Sequence, residues 1–109
     1  MVQERTAVGS FLATGSAMNI NLGFIPRFVQ LYNVTDTKLP KFTWFKGMTA
    51  AYVYKEAIGS TYSAPSYATS AGITAYAGTD AAGDTAGFTL GADSDMNGAA
   101  DVIYYIAIR

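Results

Sequence analysis

Hydrophobic and polar positions along this chain follow the two-residue period of β-strands more often than any other. Residues 17–22 set Met18, Ile20 and Leu22 on one side and Asn19 and Asn21 on the other, the pattern of a half-buried strand. Residues 27–34 place Val29 and Leu31 on one face and Phe28, Gln30, Tyr32 and Val34 on the other. The Val29/Leu31 face is the better core candidate, because the opposite face must accommodate Gln30. Residues 41–48 put Phe42 and Trp44 together, and 50–57 centre on Tyr-Val-Tyr, which favours strand over the helix that the flanking Ala, Lys and Glu tolerate. The last quarter reads as strand 87–91, polar turn 93–101 and strand 102–109, a terminal hairpin. Seven of the eight residues 102–109 are apolar or aromatic, as expected of a central strand buried on both faces.

Between these runs lie breakers. Gly9-Ser10 is expected to interrupt the first segment, Gly15-Ser16 and residues 23–26 to turn the chain, and 35–40 to form a polar loop. Residues 2–8 read as an N-terminal arm or edge strand. Residues 60–72 read as a long loop rich in Ser, Thr, Ala, Tyr and Gly, followed by a short strand at 73–77 and a turn at 78–83. Roughly seven to nine short strands, punctuated every 8–12 residues, predict an all-β antiparallel fold, a β-sandwich or jelly-roll-like single domain over residues 1–109.

Composition sharpens this picture. Charged residues make up 14% of the chain, against about 25% in an ordinary soluble domain. With eight Tyr and six Phe, this leaves two readings of the surface: partly covered by a partner, or largely Thr, Ser, Ala and Gly. The net charge of −1 gives no general pull toward nucleic acid or an anionic membrane, and neither is expected as a partner. With no Cys and no His, disulfides, thiolate zinc sites and imidazole-based catalysis are excluded. The charged start, without a long apolar run after it, predicts no signal peptide.

Few residues offer chemistry. Asp93, Asp95, Asn97 and Asp101 have the spacing of the first half of a calcium loop, with Gly98 at the bend. Tyr104 stands where the bidentate Glu belongs, so a tight turn, with Asn97-Gly98 supplying left-handed residues, is the preferred reading and no metal or cofactor is expected. Neither a carboxylate pair in an apolar setting nor a Walker-type phosphate loop is visible, and no enzyme activity is expected. Arg27, Lys38, Lys41 and Lys46 interleave with Phe28, Phe42, Trp44 and Phe45, which reads as solvent-facing cations on strands. The expected protein contacts are Val2, Arg5 and Val8 on the arm and Tyr62 and Tyr67 in the 60–72 segment, where tyrosines sit in an adaptable Ser/Ala/Thr background. The single Trp44 is expected to anchor the core; its alternative is a sugar-stacking platform together with Tyr62 and Tyr67.

Three pieces in order carry a family resemblance: Ile20-Asn-Leu-Gly-Phe-Ile-Pro-Arg-Phe-Val-Gln-Leu-Tyr-Asn33; Trp44 with Met48; and Gly87-Phe-Thr-Leu-Gly91 followed by Asn97-Gly98 and Tyr104-Tyr-Ile-Ala-Ile-Arg109. The set resembles small β-sandwich modules in virion proteins of tailed bacteriophages. That resemblance covers about half the chain and carries no catalytic residues. No coiled-coil or collagen-like stretch accompanies the module. It therefore implies a capsid decoration (cement) protein: a structural component of the virion exterior, made in the host bacterial cytoplasm, that binds the major capsid protein and its own copies, with a trimer favoured. The other form the resemblance allows is a carbohydrate-binding or receptor-binding module of the tail.

Overall fold

A computed structural model describes residues 6–36, 39–56, 66–78, 86–93 and 95–109, with the backbone alone for 66–70. These residues form eight strands and no helix: β1 (Thr6–Leu12), β2 (Met18–Asn21), β3 (Phe28–Asn33), β4 (Lys41–Phe45), β5 (Tyr52–Glu56), β6 (Ser66–Tyr76), β7 (Gly87–Leu90) and β8 (Val102–Ile108). They pair antiparallel in one curled sheet of order β1-β8-β3-β4-β5-β6-β7-β2. The all-β expectation holds.

The inward positions are those that alternation selects. Val29 and Leu31 of β3, Phe42 and Trp44 of β4, Val53 of β5, and Ile103 and Ala107 of β8 line one side of the curl. Ile20, Ile73, Phe88 and Leu90 line the facing side, and Met96 from the β7–β8 connection fills the space between. Burying such side chains stabilises by roughly 1.5–3 kcal/mol each, before the entropy of ordering them is subtracted.

The curl has its corner in β6. Pairing with β5 runs from Lys55↔Ser66 to Val53↔Ala68, then jumps to Tyr52↔Ile73. Four residues of β6 thus lie opposite no residue of β5, a large bulge that bends the strand. Ala71 and Ala51 both adopt positive φ there, at 58° and 66°. The end of β7 nests into the bend, where the Gly91 N–H donates to the Gly72 carbonyl at 2.8 Å. A Cβ on Gly91 would lie 2.2 Å from the Ala71 carbonyl, so only glycine fits.

Four expectations are overturned. Residues 87–109 are not a hairpin: β7 pairs with β2 and β6, and β8 with β1 and β3. Residues 91–101 instead cross from one arm of the curl to the other, anchored by buried Met96. Gly9-Ser10 does not break the first segment. β1 runs through it, because the missing side chain at Gly9 leaves room for the Tyr105 ring, whose Oη would be 2.9 Å from a Cβ there. Tyr105 then meets Phe11 (centroids 6.1 Å) and Phe88 (6.3 Å, edge-on), tying the β1 edge to the opposite arm. Residues 66–72 are strand, not loop: small residues suit a strand that must bend between two close neighbours. Among the described residues of the 93–101 turn the left-handed one is Ala100 (φ 67°), not Asn97 or Gly98.

Candidate functional site: an open apolar sheet face

β8 is an internal strand, as its sequence predicts, but only one of its faces is covered. Ile103 and Ala107 are buried, whereas Tyr104 is 51% and Ile108 37% exposed. Residues directly opposite across a ladder share a face, so the register defines what surrounds them. Thr6, Ile108, Phe28 and Phe45 form one row; Val8, Ile106, Gln30, Thr43 and Tyr54 the next; Ser10, Tyr104, Tyr32, Lys41 and Glu56 the third. Leu12 continues the face beside Val102.

Val8 is 73% exposed, Leu12 61% and Phe45 49%. With Tyr104 and Ile108 they present on the order of 500 Å² of largely apolar surface, taking each full side chain at ~150–200 Å². That is as large as the biggest apolar patch an ordinary monomer shows. Several of the polar side chains within it pair with one another. Tyr32 Oη donates to Gln30 Oε1 at 2.7 Å, Gln30 Nε2 donates to Thr43 Oγ1 at 3.3 Å, and Lys41 lies 3.8 Å from Glu56. A partner docking over Gln30, Tyr32 and Thr43 would find those side chains already hydrogen-bonded, which lowers the cost of covering them.

One end of the face is basic. The Lys46 N–H donates to the Arg27 carbonyl, the Arg27 N–H to the Ile108 carbonyl, and Arg27 Nη2 to the Arg109 carbonyl. Backbone pairing thus gathers three cationic residues, all exposed, beside Phe28, Phe45 and Ile108.

The residues of the suspected calcium loop serve other purposes. Lys55 Nζ reaches Asp93 Oδ2 at 3.2 Å and Asp95 Oδ2 at 3.4 Å, placing an ammonium between these carboxylates. Asp93 Oδ1 also accepts the Asp95 and Met96 N–H groups, an Asx turn. Asp101 Oδ2 accepts from buried Asn33 at 2.9 Å. Asn97, 1% exposed, points inward: its Oδ1 accepts the Thr14 and Gly15 N–H groups and its Nδ2 donates to the Ser16 and Gly91 carbonyls. Among the described residues no group of three or more His, Cys, Asp or Glu could hold a metal ion.

Trp44 is 4% exposed and belongs to the core. It also lines a cleft of about 210 Å³ whose other walls include Ile25, Pro26, Met48 and Ala75. Burial leaves little of its ring for stacking, which favours the expected core anchor over the alternative sugar platform: β4 turns that side chain inward with Phe42. Of the expected protein contacts, Val8 lies on the open face. Tyr67 pairs with Tyr54 across β5 and β6, while Val2, Arg5 and Tyr62 lie outside the described residues, as does Lys38. Sequence reasoning missed Leu12, Phe45 and Tyr104. The signal was there in β8, which is apolar on both of its alternating faces.

Compared with protein-family models, with curated proteins and with solved structures, the chain matches none.

Proposed function

We propose that this chain is a non-catalytic structural protein that docks through the outer face of β1, β8, β3 and β4 onto a larger protein surface. The resemblance of its motifs to phage virion modules points to one surface in particular, the major capsid protein of an assembled head, with the chain acting as a decoration (cement) protein on the capsid exterior. The observation that carries this reading is the continuous apolar face from Val8 and Leu12 to Phe45. A face of this kind is costly to leave in water, and repetition over a lattice would add avidity to a modest single contact. The basic end formed by Arg27, Lys46 and Arg109 would favour a partner with carboxylates at the matching position.

The test is co-sedimentation with empty capsids, read alongside capsid melting temperature. Wild-type protein is expected to bind and to raise the melting temperature. Val8→Asp and Tyr104→Asp, which change exposed side chains, are expected to stay folded and to lose at least tenfold in binding. Binding that is unaltered in both variants overturns the assignment of the face. Failure of the wild-type protein to bind capsids overturns the decoration role, and binding to bacterial surface glycans instead would move the reading to the tail.

A further inference from the structure

We infer that two copies of this chain pair through β1, antiparallel about Ser10, so that one sheet continues through both. This does not rest on the decoration role; it rests on the edge itself.

β1 is a sheet edge: among the described residues it pairs with β8 alone. The ladder fixes which backbone groups are spent. The Ala13 N–H donates to the Asp101 carbonyl, so the odd-numbered residues of β1 point toward β8 and the even-numbered ones point away. The N–H and C=O groups of Val8, Ser10 and Leu12 therefore face outward. Natural edges of this length are commonly blunted by Lys, Pro or inward-pointing charge. β1 reads Thr-Ala-Val-Gly-Ser-Phe-Leu and has none of these. The other edge, β2, is four residues long and carries exposed Asn19 and Asn21.

The occupant that fits is a second β1. Antiparallel pairing centred on Ser10 sets Val8 opposite Leu12 of the second copy and Leu12 opposite its Val8, with Ser10 opposite Ser10. All three are edge-facing residues, so each pair can exchange both backbone hydrogen bonds. On the outer side, Val8 and Leu12 then cover one another in both directions. On the inner side, Phe11 falls opposite Gly9 twice, large against small, next to the Tyr105 ring that fills the space over Gly9. Self-complementarity of this kind on both faces at one register is the requirement for a twofold contact. That symmetry differs from the threefold assembly implied by the family resemblance, so the measured mass separates the two.

The test is sedimentation equilibrium on the full chain at micromolar concentrations, where the expected mass is twice 11.5 kDa. Ser10 is exposed and its side chain sits on the proposed axis, so Ser10→Lys and Ser10→Glu place like charges against each other. Each variant alone is expected to sediment as a monomer, with unaltered circular dichroism. An equimolar mixture of the two is expected to restore the doubled mass, which a misfolded variant would not do. A monomeric wild type, a trimer, a dimer insensitive to both substitutions, or a mixture that stays monomeric overturns the pairing. Capsid binding is scored separately through Tyr104→Asp, so loss of one proposal leaves the other standing.

Discussion

Asn97→Ala isolates the contribution of one buried polar side chain to the crossing between the two arms of the sheet. The Asn97 amide makes four hydrogen bonds: it accepts from Thr14 N–H at 3.0 Å and Gly15 N–H at 3.3 Å, and donates to the Ser16 carbonyl at 2.7 Å and the Gly91 carbonyl at 3.0 Å. It thereby fastens the 91–101 crossing to the β1–β2 turn, two segments far apart in sequence. Each bond contributes ~0.5–1.5 kcal/mol net. The Thr14–Ser16 turn is exposed, so water can take up part of what it loses, whereas the Gly91 carbonyl lies in the β6 bend beside Gly72. The expected loss is about 3 kcal/mol, roughly a fifth to three-fifths of the ~5–15 kcal/mol that stabilises a domain. In urea, with a slope of ~1.5 kcal/mol/M, the midpoint should fall by ~2 M at constant slope. Asn19→Ala is the control: Asn19 accepts a single bond from Thr89 Oγ1 at 2.7 Å on an exposed strand, and its loss should cost no more than ~1 kcal/mol. If Asn97→Ala shifts the midpoint no further than Asn19→Ala, the crossing is held by Met96 and the core alone, and the reasoning fails.

Other changes probe the frame around it. Gly91→Ala brings a Cβ to 2.2 Å from the Ala71 carbonyl, a backbone group that cannot rotate aside, and is expected to cost more than ~2 kcal/mol in the same titration. Trp44→Ala removes the largest inward side chain of β4 and is expected to lose ~3–5 kcal/mol and the near-ultraviolet circular dichroism signal, where a surface platform would leave both unaltered. Deleting residues 103–109 removes the strand between β1 and β3 and is expected to abolish cooperative unfolding; a folded, soluble product would refute the central place given to β8.

Alternation made β2, β3 and β4 readable because each has one wet face and one dry face, and the periodicity records that difference directly. Asn19 and Asn21 are exposed around buried Ile20, and Val29 and Leu31 are fully buried. β1 and β6 were misread for a shared reason. Their glycines and small residues reflect other groups coming close: the Tyr105 ring over Gly9, and the Ala51 carbonyl, which accepts the Gly72 N–H at 3.0 Å. A local pattern records that a side chain is missing and not what fills the space. The hairpin reading of 87–109 failed likewise, because a strand's partners depend on the curl of the whole sheet. The turn residues between β7 and β8 look the same whether the chain reverses or crosses. The aspartates of that turn were legible as oxygen donors, but Lys55, nearly 40 residues earlier, was not legible as their cation.

β8 shows why an apolar strand need not be a buried one. Its inward row, Ile103 and Ala107, belongs to the core, with Tyr105 packed against it. Its outward row, Tyr104, Ile106 and Ile108, gives the fold little, since on that side its neighbours are β1 and β3 residues on the same open face. A contiguous apolar row that contributes little to folding is the kind of surface a partner covers, which is why the docking proposal rests on it. The outward row is continuous with the unblunted β1 edge through Val8 and Leu12, so a second copy at that edge would extend the face without covering Tyr104 or Phe45. The proposed pairing of copies and the proposed docking on a larger surface are therefore compatible: the edge would join the chains, and the joined faces, doubled in area, would stay free for a partner.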